Sequence, residues 1–94
     1  AMTACREAIR IEPENADAYG VLGDIFREKG LLSDAIAAYH DTIRIDPENA
    51  EAYYNIGGAL SDSGKIDEAR AAWERAAALD AEGEFGKMAR TALA

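Results

Sequence analysis

The sequence predicts an all-α chain built as an antiparallel helix-hairpin repeat array. Residues Ile9 to Tyr19 read I-R-I-E-P-E-N-A-D-A-Y, and Ile43 to Tyr53 read I-R-I-D-P-E-N-A-E-A-Y. Each residue of the second copy stands 34 positions after its partner, and the two differences, Glu12 to Asp46 and Asp17 to Glu51, exchange acid for acid. Self-similarity at this period marks stacked helical hairpins, because one such unit cannot bury its apolar face alone. Along the chain, apolar residues fall at helical spacing, and Pro13, Gly30, Pro47 and Gly64 punctuate them.

The first element is a second helix without its first. Ala4, Cys5, Ala8, Ile9 and Ile11 give helical spacing over Thr3–Ile11 until Pro13, since the residue before a proline is pushed out of the α region. Asn15 is the expected N-cap of the next helix, Asp17–Lys29, with Asp17 at the positive end of its dipole. Tyr19, Leu22, Gly23 and Phe26 form its inward face, with Gly23 leaving room for a close neighbour, and Gly30 ends it. Ser33 is expected to cap the partner helix, Asp34–Ile45. Its stripe is Ala35, Tyr39, Thr42 and Ile43, with Leu32, Ile36 and Ile45 beside it, and Pro47 stops it. The connection is short, so the paired helices are antiparallel neighbours.

The second full unit repeats the plan. Asn49 caps Glu51–Ser63, whose stripe is Tyr53, Ile56, Gly57 and Leu60. Asp67 is expected to cap Asp67–Leu79, with Ala69, Trp73, Ala76, Ala77 and Leu79 packing. The third copy decays: Pro47 becomes Ala81, Asn49 becomes Gly83 and Tyr53 becomes Lys87. A loop shortened by two residues aligns Phe85, Met88, Ala89 and Ala92 with the earlier stripe, on a last helix Glu84–Leu93. Glu84, Lys87, Arg90 and Thr91 give that helix a polar back, as an array ending in water requires. The chain thus reads as one domain: a partial repeat over 1–15, full repeats over 16–49 and 50–83, and a capping helix over 84–94.

These residues resemble the tetratricopeptide repeat family. Its pattern of aromatic, Leu-Gly pair, large group, alanine, aromatic, small residue and proline reads here as Tyr19, Leu22-Gly23, Phe26, Ala35, Tyr39, Thr42, Pro47. It recurs as Tyr53, Ile56-Gly57, Leu60, Ala69, Trp73, Ala76, with Ala81 in place of the proline. The opening helix contributes Ala1, Cys5, Ala8 and Pro13. Thr42 for an alanine, Cys5 for an aromatic and the missing proline at Ala81 depart from the pattern. The resemblance implies a right-handed α-solenoid, no catalysis, and a peptide or protein partner held on the concave face of the first helices.

The formal net charge of -8 and a pI near 4.5 argue against nucleic acid and anionic membranes as partners. No apolar run is long enough to span a bilayer. A single cysteine, Cys5, makes no intrachain disulfide and suits a reducing compartment, so a cytoplasmic location is expected. No enzyme site assembles from the sequence. His40 follows the inward Tyr39 and should point to solvent, Cys5 reads as a small core group, and Ser33 has no base nearby in sequence. Metal-ligand spacing is absent, and nothing calls for a cofactor.

Candidate binding residues lie off the packing stripe of each first helix, three and four apart: Asp17, Gly20, Asp24, Arg27 and Glu28, then Glu51, Tyr54, Gly58, Ser61 and Asp62. Five acids against one arginine make this an acidic groove, expected to take a segment with basic residues. Tyr54 directly follows the packing Tyr53, so it points elsewhere and is a candidate anchor. Asn55 borders the face, at a place where the family often holds the ligand backbone, although Val21 is its counterpart one unit earlier. One subfamily clamps C-terminal carboxylates. Asn55 fits that clamp and so does Lys87, but Gly20 and Asp24 stand where it needs a lysine and an asparagine, and Asp24 would repel a carboxylate. The competing expectation is a self-assembly scaffold, or a piece of a longer array. A homo-oligomer would form through Cys5, Ala8 and Ile9 on the opening helix, whose missing partner leaves them uncovered.

Overall fold

Six helices make the fold. In the computed structural model, which describes residues 2–94, they are α1 (Met2–Ile11), α2 (Ala16–Glu28), α3 (Leu32–Ile45), α4 (Ala50–Asp62), α5 (Ile66–Leu79) and α6 (Glu84–Leu93). No strand occurs among the described residues. Ala1, which the family pattern assigns to the opening helix, lies outside them. All six expected helices are present, and the largest shift of an end is at α3, which starts at Leu32 rather than Asp34.

The turns follow from the residues at helix ends. The side chains of Asn15 and Asn49 accept from the Ala18 and Ala52 amides at 3.1 and 3.0 Å, satisfying an orphan donor in each first helix. Gly30 and Gly64 have φ of +79° and +82°, the left-handed conformation that glycine adopts without a Cβ penalty. The amides of Leu31 and Lys65 then reach back to the Phe26 and Leu60 carbonyls, at 2.9 and 2.8 Å. This Schellman geometry turns the chain so tightly that α3 and α5 begin at once, at Leu32 and Ile66. Ser33 and Asp67 are therefore not caps, contrary to the sequence expectation. They lie within the first turns, and neither N-cap, Leu31 nor Lys65, offers a side-chain acceptor.

The connector before α6 also differs from expectation. Asp80–Gly83 is as long as Asp46–Asn49, so no residue has been lost from it. Gly83 lacks the capping side chain of Asn49, and the Asp80 carboxylate takes over by accepting from the Phe85 amide at 3.2 Å. On α6, Gly86 and Ala89 are buried, Phe85 and Met88 half-buried, and Ala92 exposed. A Cβ at Gly86 would fall 1.8 Å from the Asp80 carbonyl oxygen, so the helix can approach the connector only with glycine there. The expected polar back of α6 faces solvent.

The core lies where α3, α4 and α5 meet, around Ala35, Tyr39, Ile56, Ala59, Leu60, Ala69 and Ala72. Tyr39 is wholly buried, whereas Tyr19, Tyr53 and Trp73, also expected in the core, are half-buried. Trp73 nonetheless packs on Gly57, and its indole nitrogen donates to the Tyr54 carbonyl at 3.2 Å. Within each unit the helices cross on glycine. A Cβ at Gly23 would sit 2.7 Å from the Tyr39 ring, and one at Gly57 2.4 Å from the Trp73 indole nitrogen. Ala35 and Ala69 are fully buried at the same crossings. Cys5 is buried too, at 7% exposure, beside Ala18 and Val21 of α2. It is not the uncovered group expected of an open first face, because α2 covers it within the chain.

Candidate functional site

The first helices of successive units touch, α2 on α4 and α4 on α6, and so make one face. Helical spacing of three and four residues lines Asp17, Val21, Asp24 and Glu28 along α2. Glu51, Asn55 and Asp62 project from α4 on the same side. A hollow of about 210 Å³ opens between the two helices, walled by Asp17, Val21 and Asp24 on one side and Glu51 and Asn55 on the other, over Gly20, Thr42 and Ala52. Asp24 also borders a second hollow of about 430 Å³, shared with Arg27, Glu28 and Asp62. A third, of about 310 Å³, holds Tyr54 and Lys87 with Met88, Thr91 and Ala92. The nine expected residues thus share one face but not one cavity.

Three contacts change what these residues can do. The Tyr39 hydroxyl donates to the Asp24 carboxylate, so one oxygen of Asp24 is tied to the core. Burial first, and the bond to Asp24 second, push the Tyr39 phenol well above the usual tyrosine range. Arg27 Nε donates to Asp62 at 2.9 Å and joins α2 to α4. Its guanidinium lies where a Cβ on Gly58 would be, which explains a small residue there. Tyr54 is half-buried, its ring 6.3 Å from that of Phe85 at 46°, so the expected free anchor is partly covered by α6.

The charge of the face is accordingly redistributed. Arg27 and Asp62 satisfy each other. Asp17, Glu28 and Glu51 are exposed and make no ion pair among the described residues. Sequence reasoning missed Thr42 and Asn49 in the first hollow. The Thr42 hydroxyl lies 3.3 Å from the carbonyl oxygens of both Ala16 and Ala38, giving its one proton two acceptors. The Asn49 oxygen is already occupied as a cap. Both are thus spent on structure, and neither had a spacing signal beyond its place in the repeat.

His40 is exposed, as expected. Among the described residues, no three His, Cys, Asp or Glu groups come together to hold a metal ion, and no helix is long and apolar enough to cross a membrane.

A family model described as TPR repeat matches residues 23–63, and one described as Tetratricopeptide repeat matches residues 50–82. Among solved structures, the chain is similar to a crystal structure of MamA protein, with a TM-score of 0.81 and 35% sequence identity over 87% of this chain and 45% of that one. It is similar to a further crystal structure of MamA, with a TM-score of 0.82 and 34% identity over 86% of this chain and 47% of that one. The chain therefore spans about half the length of those solved chains. No curated protein sequence matches it.

Proposed function

Since the chain belongs to the tetratricopeptide repeat family, whose repeats serve as protein-interaction or scaffold modules, we propose that its α2–α4–α6 face binds a peptide or partner segment carrying basic residues. The observation that supports this best is the set of carboxylates left after internal pairing. Asp17, Glu28 and Glu51 are exposed and without a cation of their own, and Asp24 keeps one oxygen toward the groove. Asn55 supplies an amide for the ligand backbone. Lys87 and Arg90 make the far end more basic, so the segment would place its cations over α2 and the start of α4. No step of this reading needs catalysis, a metal or a cofactor. A buried free Cys5 suits a reducing compartment such as the cytoplasm.

Fluorescence anisotropy with a labelled lysine-rich peptide tests the reading. Binding should weaken as salt is raised, because exposed charges are screened, and should weaken further in Glu51→Lys. Preference for acidic peptides with a free carboxyl end would replace this reading with a carboxylate clamp.

A second reading, self-assembly or stacking within a longer array, draws on α1. Ile11 is 67% exposed and Ala4 exposed, while Ala8 and Ile9 are half-buried. Light scattering across a concentration series separates it from the first: mass rising with concentration supports assembly, and a constant monomer mass removes it.

A further inference from the structure

A hollow larger than those of the acidic face lies on the opposite side of the molecule. The first helices of successive units touch, but the second helices α3 and α5 do not. The gap between them is a groove of about 690 Å³, floored by Ile36, Ile43, Ile56 and Leu60. Its rim carries Lys65, Arg75, His40 and Glu68. Arg75 is held at one end, 5.9 Å above the ring of Tyr53. None of Lys65, Glu68 and Arg75 is in an ion pair among the described residues.

These cations are not demanded by the repeat. One period of 34 earlier, Lys65 corresponds to Leu31 and Arg75 to Asp41, while Glu68 corresponds to Asp34 and His40 to Arg6. The equivalent rim between α1 and α3 therefore has a net charge of -1. This one has +1, in a chain of formal charge -8. The backbone plan is the same in both places, so the fold does not account for the inversion.

We propose that the α3–α5 groove is a second docking surface, for an amphipathic acidic segment of a partner protein. Apolar side chains of the segment would enter over Ile36, Ile43, Ile56 and Leu60, and flanking carboxylates would meet Lys65 and Arg75. Charge complementarity selects this occupant, since Lys65 and Arg75 on the rim outweigh Glu68 and call for acidic groups. From Ile36 to Ile43 the groove runs about 10 Å, two turns of a helix, at the helical rise per residue. It is open along its length, which suits a segment laid into it. The proposal is independent of the reading of the acidic face.

The probe is a synthetic peptide of about 12 residues, long enough for three helical turns. It carries leucines at i, i+3, i+4 and i+7 and glutamates on both flanks, with a second version bearing lysines instead. Methyl NMR on the whole chain should show shifts at Ile36, Ile43, Ile56 and Leu60 with the glutamate peptide, and binding about tenfold weaker in Lys65→Glu/Arg75→Glu. Ala71→Trp, at an exposed position on the groove, should block the site without altering any charge. Glu51→Lys on the other face should leave glutamate-peptide binding unchanged. Equal binding of the two peptides, undiminished binding in both groove variants, or methyl shifts confined to Val21 and Ala52 of the acidic face would overturn the proposal.

Discussion

The hydroxyl of Tyr39, the one large side chain fully buried among the described residues, donates to the carboxylate of Asp24 on the candidate binding face. Core and surface are thereby joined through one hydrogen bond between α3 and α2. Removing it in Tyr39→Phe should lower stability by about 1–3 kcal/mol, as expected for a bond to a charged acceptor. Chemical denaturation measures this directly.

Burial of Tyr39 first, and the same bond second, predict an alkaline signature. The folded-state pKa of Tyr39 is raised above the unfolded value of about 10. Its contribution is therefore fully present below pH ~10 and is lost as pH rises beyond that, where the unfolded chain releases the proton and the folded chain retains it. The limiting slope is about 1.4 kcal/mol per pH unit. Denaturation midpoints between pH 8 and roughly 11 should fall more steeply in the wild type than in Tyr39→Phe. Parallel curves would show that Tyr39 does not titrate differently on folding.

Glycine at the helix crossings gives a paired prediction. Gly23→Ala and Gly57→Ala each place a methyl inside the contact distance of a ring. Each should lose roughly 1–3 kcal/mol by overpacking, even though alanine favours helix by about 1 kcal/mol over glycine. Gly20→Ala is the control, because its Cβ would meet only Thr42 Oγ1 at 3.8 Å. It should be neutral or stabilising by up to ~1 kcal/mol. Thermal melts of the three variants rank them. Ala69→Leu, at a fully buried crossing, should resemble the damaging pair.

The Arg27–Asp62 pair is a weaker strut. Its side chains are 36% and 49% exposed. A double-mutant cycle should return a coupling of about 0.2–1 kcal/mol, reduced by added salt. A coupling of several kcal/mol would mean that the pair closes the face more firmly than its exposure allows.

Tyr54 has two contacts to lose. Tyr54→Ala should loosen α6 by about 0.5–1.5 kcal/mol through the Phe85 contact, and should weaken peptide binding if the ring also touches ligand. Phe85→Ala separates the two, since it removes the packing and leaves the Tyr54 ring in place. Equal loss of binding in both variants would make Tyr54 a packing residue only.

Much of this fold was legible because few residue types can do what its turns need. Gly30 and Gly64 adopt the conformation that favours glycine, and Asn15 and Asn49 satisfy buried-end amides. The recurrence at 34 residues then fixed the order of the helices. What was not legible arose from contacts between units. Ala18, Ala38, Ala52, Ala59 and Ala72 are buried, but alanine serves a core and a surface helix equally well, so spacing alone did not mark them. The bond from Tyr39 to Asp24, and the tie from Arg27 to Asp62, join residues 15 and 35 positions apart. Both Asp24 and Arg27 read as free charges in the sequence. The groove between α3 and α5 was invisible for a related reason, since it exists only because two helices fail to meet.

The central claim is that the α2–α4–α6 face, with its unpaired carboxylates, is the surface that takes a basic segment. Amide NMR with an unlabelled lysine-rich peptide tests it most directly. The account predicts shifts centred on Asp17, Asp24, Glu51 and Asn55, fading as salt rises and absent in Asp17→Lys/Glu51→Lys. Shifts centred instead on α1, or on the α3–α5 groove, with that face undisturbed, would contradict it.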